Sequence, residues 1–170
     1  MSEPFTLYKL IILYMLNKVD FPLTNSQISS FILDRGYTTY FTLQSVLSEL
    51  SESNMIRLET IRNSSYYTIT DSGAEALHYF QNRVSKSIRD EIDLYMKENK
   101  MRLRDEVSII SDYYKNTANE YSVHLVVKEK YSNPIDLTIT VPDEKQARQV
   151  CHNWRKHCQS IYEFVMKELL

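Results

Sequence analysis

A chain of 170 residues with two glycines, two cysteines and a formal charge of −2 is sized for one domain or two small ones, with no room for a glycine-rich phosphate cradle. The first 84 residues carry six basic and eight acidic side chains, and the remainder fourteen of each. Neither half has the basic excess of a strongly cationic nucleic-acid binder, so any phosphate contact must come from a few cations in a local arrangement.

Thirteen tyrosines suit half-buried surfaces and interfaces, and the apolar content is that of a protein with a core. Cys151 and Cys158 lie about 10 Å apart if they share one helix, too far for a disulfide, so a reducing cytoplasm is expected. The apolar run Leu10 to Leu16 is far shorter than a membrane span and lacks the flanks of a signal peptide. A soluble intracellular protein with no membrane contact is expected.

Leu7, Leu10, Ile11, Tyr14 and Met15 recur at helical spacing and predict a core helix from Phe5 to Lys18. Phe21-Pro22 ends it. Thr24-Asn25-Ser26-Gln27 is a capping-box pattern, with Leu23 and Ile28 placed as a hydrophobic staple. Ile28, Phe31 and Ile32 should face inward, and Gly36 should stop this second helix in the left-handed conformation. A third helix starts at Thr38 or Thr39 and runs to about Ser53, with Leu43, Val46, Leu47 and Leu50 as its buried stripe. Its outer face carries Thr38, Phe41, Ser45, Ser48 and Glu52. Hydroxyls and an amide at its beginning and acids at its end suit a helix whose N-terminus approaches a major groove, and equally a plain solvated helix. Phe41 suits contact with a thymine methyl or with a neighbouring helix.

Met55 to Arg62 and Tyr66 to Thr70 read as strands of a hairpin with Asn63-Ser64-Ser65 at its tip. Thr70 or Asp71 should cap the next helix, and Ser72 with Glu75 offers another box. Helix, turn, helix and hairpin in that order describe a helix-turn-helix with a wing. The segment Leu7 to Phe80 resembles the winged-helix modules of PadR- and MarR-type bacterial regulators. The residues carrying the resemblance are Ile28 to Phe31 with Gly36, the helix Thr39 to Leu50, Ser53-Asn54-Met55-Ile56, and the closure Tyr67 to Gly73. Tyr40-Phe41-Thr42-Leu43-Gln44, with the sheet and last helix that follow, is similar more specifically to an uncharacterised bacterial domain-of-unknown-function family described as transcriptional regulators. The third helix departs from the usual basic recognition helix: no Lys or Arg lies between Arg35 and Arg57.

Leu77, Phe80, Val84, Ile88, Ile92 and Tyr95 keep helical spacing, with a hinge expected near Arg83 to Ser87 and Ser87-x-x-Asp90 as a fresh start signal. A period of two then predicts three strands: Met101 to Tyr113, a second from Tyr121 and a third from Ile135, with turns at Asn116 to Asn119 and Ser132 to Pro134. Asp143 with Gln146 caps a final helix. Its stripe of Ala147, Val150, Cys151, Trp154, Cys158, Ile161, Tyr162, Val165 and Leu169 should cover the sheet's apolar face.

No nucleophile elbow, phosphate loop or H-E-x-x-H pattern occurs, so an enzyme is not expected. His152, His157 and the cysteines lack the pairings of a zinc site, so neither metal nor cofactor is expected. The expected fold is α+β: a winged helix-turn-helix over 1–84, then an α-β-β-β-α module over 85–170 with a three-stranded antiparallel sheet. The expected function is a DNA-binding transcriptional regulator, a homodimer reading paired half-sites on double-stranded DNA. The alternative is a winged-helix interaction module without DNA binding. Contacts are expected from Thr38, Thr39, Tyr40, Phe41, Thr42, Gln44 and Ser45 to base edges, and from Arg57, Arg62, Asn63, Ser64 and Ser65 to the backbone or minor groove. The C-terminal module would dimerise the chain or sense an unknown effector.

Overall fold

The structure is a computed structural model and describes residues 3–61 and 63–170. It is a mixed α+β chain with two three-stranded antiparallel sheets. Two compact units divide it, Met1–Arg104 and Asp105–Leu170.

Helix α1 (Glu3–Asn17) is the centre of the first unit. Seven consecutive residues, Leu10 to Leu16, are buried. A helix apolar all round must be surrounded, and α1 is flanked by the later elements of this unit. Strand β1 (Leu23–Thr24) leads into α2 (Asn25–Asp34). The capping box forms in both directions: Gln27 N–H donates to Thr24 Oγ1 at 3.1 Å, and Thr24 N–H donates to Gln27 Oε1 at 3.0 Å. The stapling pair Leu23 and Ile28 is buried beside it. Gly36 ends α2 at φ 66°, with Tyr37 N–H on the Ile32 carbonyl and Gly36 N–H on that of Leu33. This pair of bonds is a Schellman closure.

Helix α3 (Tyr40–Glu52) is capped by Thr39, whose hydroxyl accepts from Thr42 N–H. It ends in a second closure of the same kind, with Asn54 at φ 58°. Strands β2 (Ile56–Ile61) and β3 (Ser64–Ile69) form the hairpin, and β3 lies between β1 and β2. Ser64 and Ser65 prove to be strand residues, opposite Ile61 and Thr60, so the turn comes earlier than expected. Cross-strand pairing runs through Ile61 opposite Ser64, which takes both serines into the ladder. Arg62 lies outside the described residues. Thr70 caps α4 (Asp71–Phe80), accepting from Gly73 N–H, which leaves Ser72 and Glu75 inside the helix rather than forming a box.

A short 3₁₀ turn, Gln81–Arg83, separates α4 from α5 (Lys86–Ser108), where the hinge was expected. Ser85 rather than Ser87 supplies the cap, accepting from Ile88 N–H at 3.3 Å. Helix α5 corrects the expected strand from Met101. Residues 101–108 are helical and the strand begins at Ile109. Leu103 and Val107 are four apart, so they fit both periods. The surrounding Lys, Arg, Met and Glu are helix formers, and β-branched residues cluster only from Val107 onward. Val84, Ile92, Met96 and Leu103 complete the first core. The compact units therefore separate after residue 104, not at the expected 84/85 junction.

The second unit contains β4 (Ile109–Lys115), β5 (Tyr121–Val127) and β6 (Ile135–Val141), ordered β4-β5-β6, and α6 (Glu144–Leu169). Asp143 caps α6 by accepting from Gln146 N–H at 2.8 Å. As the alternation predicts, Val123, Leu125 and Ile135 face Ala147, Trp154 and Cys158 in a separate core. The Trp154 indole N–H donates to the Val126 carbonyl at 3.3 Å.

Candidate nucleic-acid interface

Burial of Leu43, Val46, Leu47 and Leu50 fixes the rotation of α3 about its axis. The other face is thereby turned outward. Phe41 is 83% exposed and Tyr40 52%, and the two rings meet edge to face at 6.0 Å. Ser45 and Ser48 are exposed on the same side, the Ser48 hydroxyl donating to Glu52. Thr39 and Thr42 are bonded to each other through their hydroxyls at 3.1 Å, and Thr38 is half-buried. At 83% exposure, Phe41 does not pack on a neighbouring helix of the described residues.

Gln44 departs from its expected place. Its amide pairs reciprocally with Asn25, at 2.8 and 3.2 Å. Asn25 also takes the Ser29 hydroxyl and donates to the Tyr67 hydroxyl at 3.4 Å. The network ties the start of α2 to α3 and to β3. A side chain whose donor and acceptor are both engaged is a structural tie, and reading a base would require breaking the pair.

The hairpin is aimed by the turn after α3. Thr70 N–H donates to the Met55 carbonyl at 3.1 Å, and the Thr70 hydroxyl donates to that of Asn54 at 2.7 Å. Gly73 sits so close beneath that an added Cβ would lie 2.1 Å from the Met55 carbonyl oxygen. Asn54 and Gly73 thus set where the hairpin leaves α3. The sequence places Asn54 in the run leading into the hairpin without assigning it the left-handed conformation; an Asn following a helix's last polar turn and preceding a strand was the available signal. On the hairpin, Arg57 is exposed opposite Thr68, on the same face as Glu59 opposite Tyr66. Asn63 and Ser64 are exposed and Ser65 is half-buried.

Most other cations of the first unit's early elements are engaged by the protein itself. Lys9 meets Glu49 at 2.6 Å, and Lys18 meets Asp93 at 2.9 Å. The hydrogen bond to Asp93 raises the Lys18 ammonium above its usual range. Arg35 stacks 4.0 Å over the Phe31 ring and 5.2 Å over that of Tyr95, and reaches Glu91 at 3.5 Å. The Tyr37 hydroxyl donates to the same Glu91; burial, then that bond, pushes the phenol well above its ordinary value. These contacts pin the α2–α3 turn to α5. Among the described residues, they leave the α3 and hairpin surface with little positive charge besides Arg57.

Elsewhere, among the described residues, no group of three or more His, Cys, Asp or Glu side chains is disposed to hold a metal ion. Cys151 and Cys158 are free thiols, the latter buried. No described helix is long and apolar enough to cross a membrane. No curated protein and no solved structure matches the chain. One family model does match, over residues 8–169, and the chain belongs to that family, described as a domain of unknown function, DUF4364.

Proposed function

We propose that the first unit is a winged helix-turn-helix that binds double-stranded DNA, and that the chain acts as a homodimeric transcriptional regulator reading paired half-sites. The observation that carries this reading is the N-terminal half of α3. Its apolar stripe is fully buried, while Tyr40, Phe41 and Ser45 stand exposed where the helix dipole favours a phosphate. The likeness of Leu7 to Phe80 to PadR- and MarR-type modules supports it. In this reading Phe41 and Tyr40 supply apolar contact to base edges and Ser45 a hydroxyl. Arg57, Arg62 and the exposed Asn63 and Ser64 hold the backbone.

Two cations per protomer give about four phosphate neutralisations for a dimer, so the logarithm of affinity should fall with the logarithm of salt at a slope of about −4. The test is fluorescence anisotropy on duplexes selected from genomic fragments, across a salt series. Arg57→Ala and Arg62→Ala should each flatten the slope by about 2, counted over both protomers. Phe41→Ala should weaken binding without changing the slope or the melting temperature. Absence of binding at low salt refutes the reading. It would favour the alternative, a winged-helix module for protein partners, which the engagement of Lys9, Lys18 and Arg35 by internal acids supports.

A further inference from the structure

One helix cannot cover three strands. Strands lie about 4.8 Å apart and a helix is about 10 Å across, so α6 spans two of them. It lies chiefly over β4 and β5. The inward face of edge strand β6 is left as the floor of a trough of about 590 Å³, between Leu137 and Ile139 on one side and Val150, Asn153 and His157 of α6 on the other. Ile139 is 39% exposed there although it has the inward phase.

The same helix is too long for its sheet. Twenty-six residues make a helix of about 39 Å, and seven-residue strands run about 23 Å. The last member of α6 packed on the core is Tyr162, so the seven residues beyond it, about 10 Å of helix, extend past the core. That extension is apolar and uncovered: Phe164 is 64% exposed, and Met166 and Leu169 are exposed with it. At 100° per residue, Phe164 points within about 40° of Asn153 and His157, toward the trough side of the helix. A rigid helix cannot fold its own end back into a groove that its middle lines.

We infer that a second copy of this chain occupies the trough: the end of each α6 lies antiparallel beside the partner's α6, over the partner's exposed β6. Seating Phe164 between Asn153 and His157 of the other copy centres a two-fold axis between Gln159 and Ser160. The small Ser160 side chain at the crossing allows close approach. Charge agrees with this register without adjustment. It sets Glu163 opposite Lys156, twice by symmetry, and both are exposed on the flank of α6 turned away from the sheet. The contact is self-complementary, and its small side-chain set belongs with modest interfaces rather than obligate ones.

This assigns the surface of the homodimer proposed above, and its test contains no DNA. Sedimentation equilibrium of the full chain over a roughly hundredfold concentration range should show a monomer–dimer equilibrium. Phe164→Asp should leave only monomer. Lys156→Glu and Glu163→Lys should each weaken the dimer about fivefold, as two exposed ion pairs become like-charge pairs, and the double variant should recover wild-type association. Melting curves that match wild type would show these exposed substitutions leave the fold intact. A wild-type chain that stays monomeric overturns the inference. So does a dimer indifferent to Phe164→Asp, or a charge-reversed pair no tighter than its singles. DNA binding by the first unit is judged separately by the anisotropy titration.

Discussion

Replacing Gly73 by alanine should damage the first unit far more than replacing Gly36. At Gly73 the new methyl would sit 2.1 Å from the Met55 carbonyl oxygen, 0.9 Å inside the 3.0 Å floor that real Cβ atoms respect, and 3.0 Å from Ile69 Cγ1. The oxygen cannot simply withdraw. It accepts from Thr70 N–H at 3.1 Å, and that bond joins the end of the hairpin to the turn after α3. Losing the bond costs about 1 kcal/mol and the forced backbone shift about 2 more. A loss of about 3 kcal/mol is a large share of a domain's 5–15 kcal/mol. For a unit of this size it should lower the melting temperature by roughly 10–20 °C. Gly36 is the control. Its φ of 66° penalises alanine, but no atom lies within 4 Å of the added methyl. That variant should lose only the left-handed strain, about 1–2 kcal/mol. Urea denaturation followed by far-ultraviolet circular dichroism measures both. If Gly36→Ala costs as much as Gly73→Ala, the close approach of α4 to the Met55 carbonyl is not what that position requires.

Asn25→Ala and Gln44→Ala should each destabilise by about 1–2 kcal/mol, with coupling near 1 kcal/mol in a double-mutant cycle, because each removes both reciprocal amide bonds, Asn25→Ala stripping the Gln44 amide of its Asn25 partner and Gln44→Ala leaving Asn25 with Ser29 and Tyr67; additive losses would show that the pair does not form. Stability should fall at alkaline pH through Tyr37 and Lys18. Both fold with values raised above 10.0 and 10.5, so their contribution is complete below those values and is lost as pH rises through the folded ones. Melting temperatures above about pH 10 should therefore decline less steeply for Tyr37→Phe and Lys18→Met than for the parent. Trp154, the chain's single tryptophan, is 1% exposed and bonded to the Val126 carbonyl. Its emission should be blue-shifted when folded, and Trp154→Ala should cost the second unit about 3–5 kcal/mol in guanidinium melts.

Local chemistry made much of the architecture legible. A cap is decided by side chains three residues apart, so Thr24 with Gln27, Thr39 and Asp143 could be read directly. Gly36 announced its positive φ, since few other residues take that conformation at little cost. Strict alternation from Tyr121 and Ile135 identified the inward faces of β5 and β6, because pleating leaves no choice once one face is buried. What failed was an ambiguity of period: Leu103 and Val107 satisfy helix and strand alike, and packing of α5 against the first core decided for helix. Gln44 was invisible for a related reason. On a helical wheel it belongs to the outer face, and only folding brings Asn25, nineteen positions earlier, within reach of its amide. The same holds for the cations. Sequence alone determined how few there are, whereas long-range ion pairs decided that Lys9, Lys18 and Arg35 serve the fold. Covalent neighbours dictate caps, turns and pleats; which surface stays uncovered depends on groups distant in the chain, and that only the tertiary structure decided.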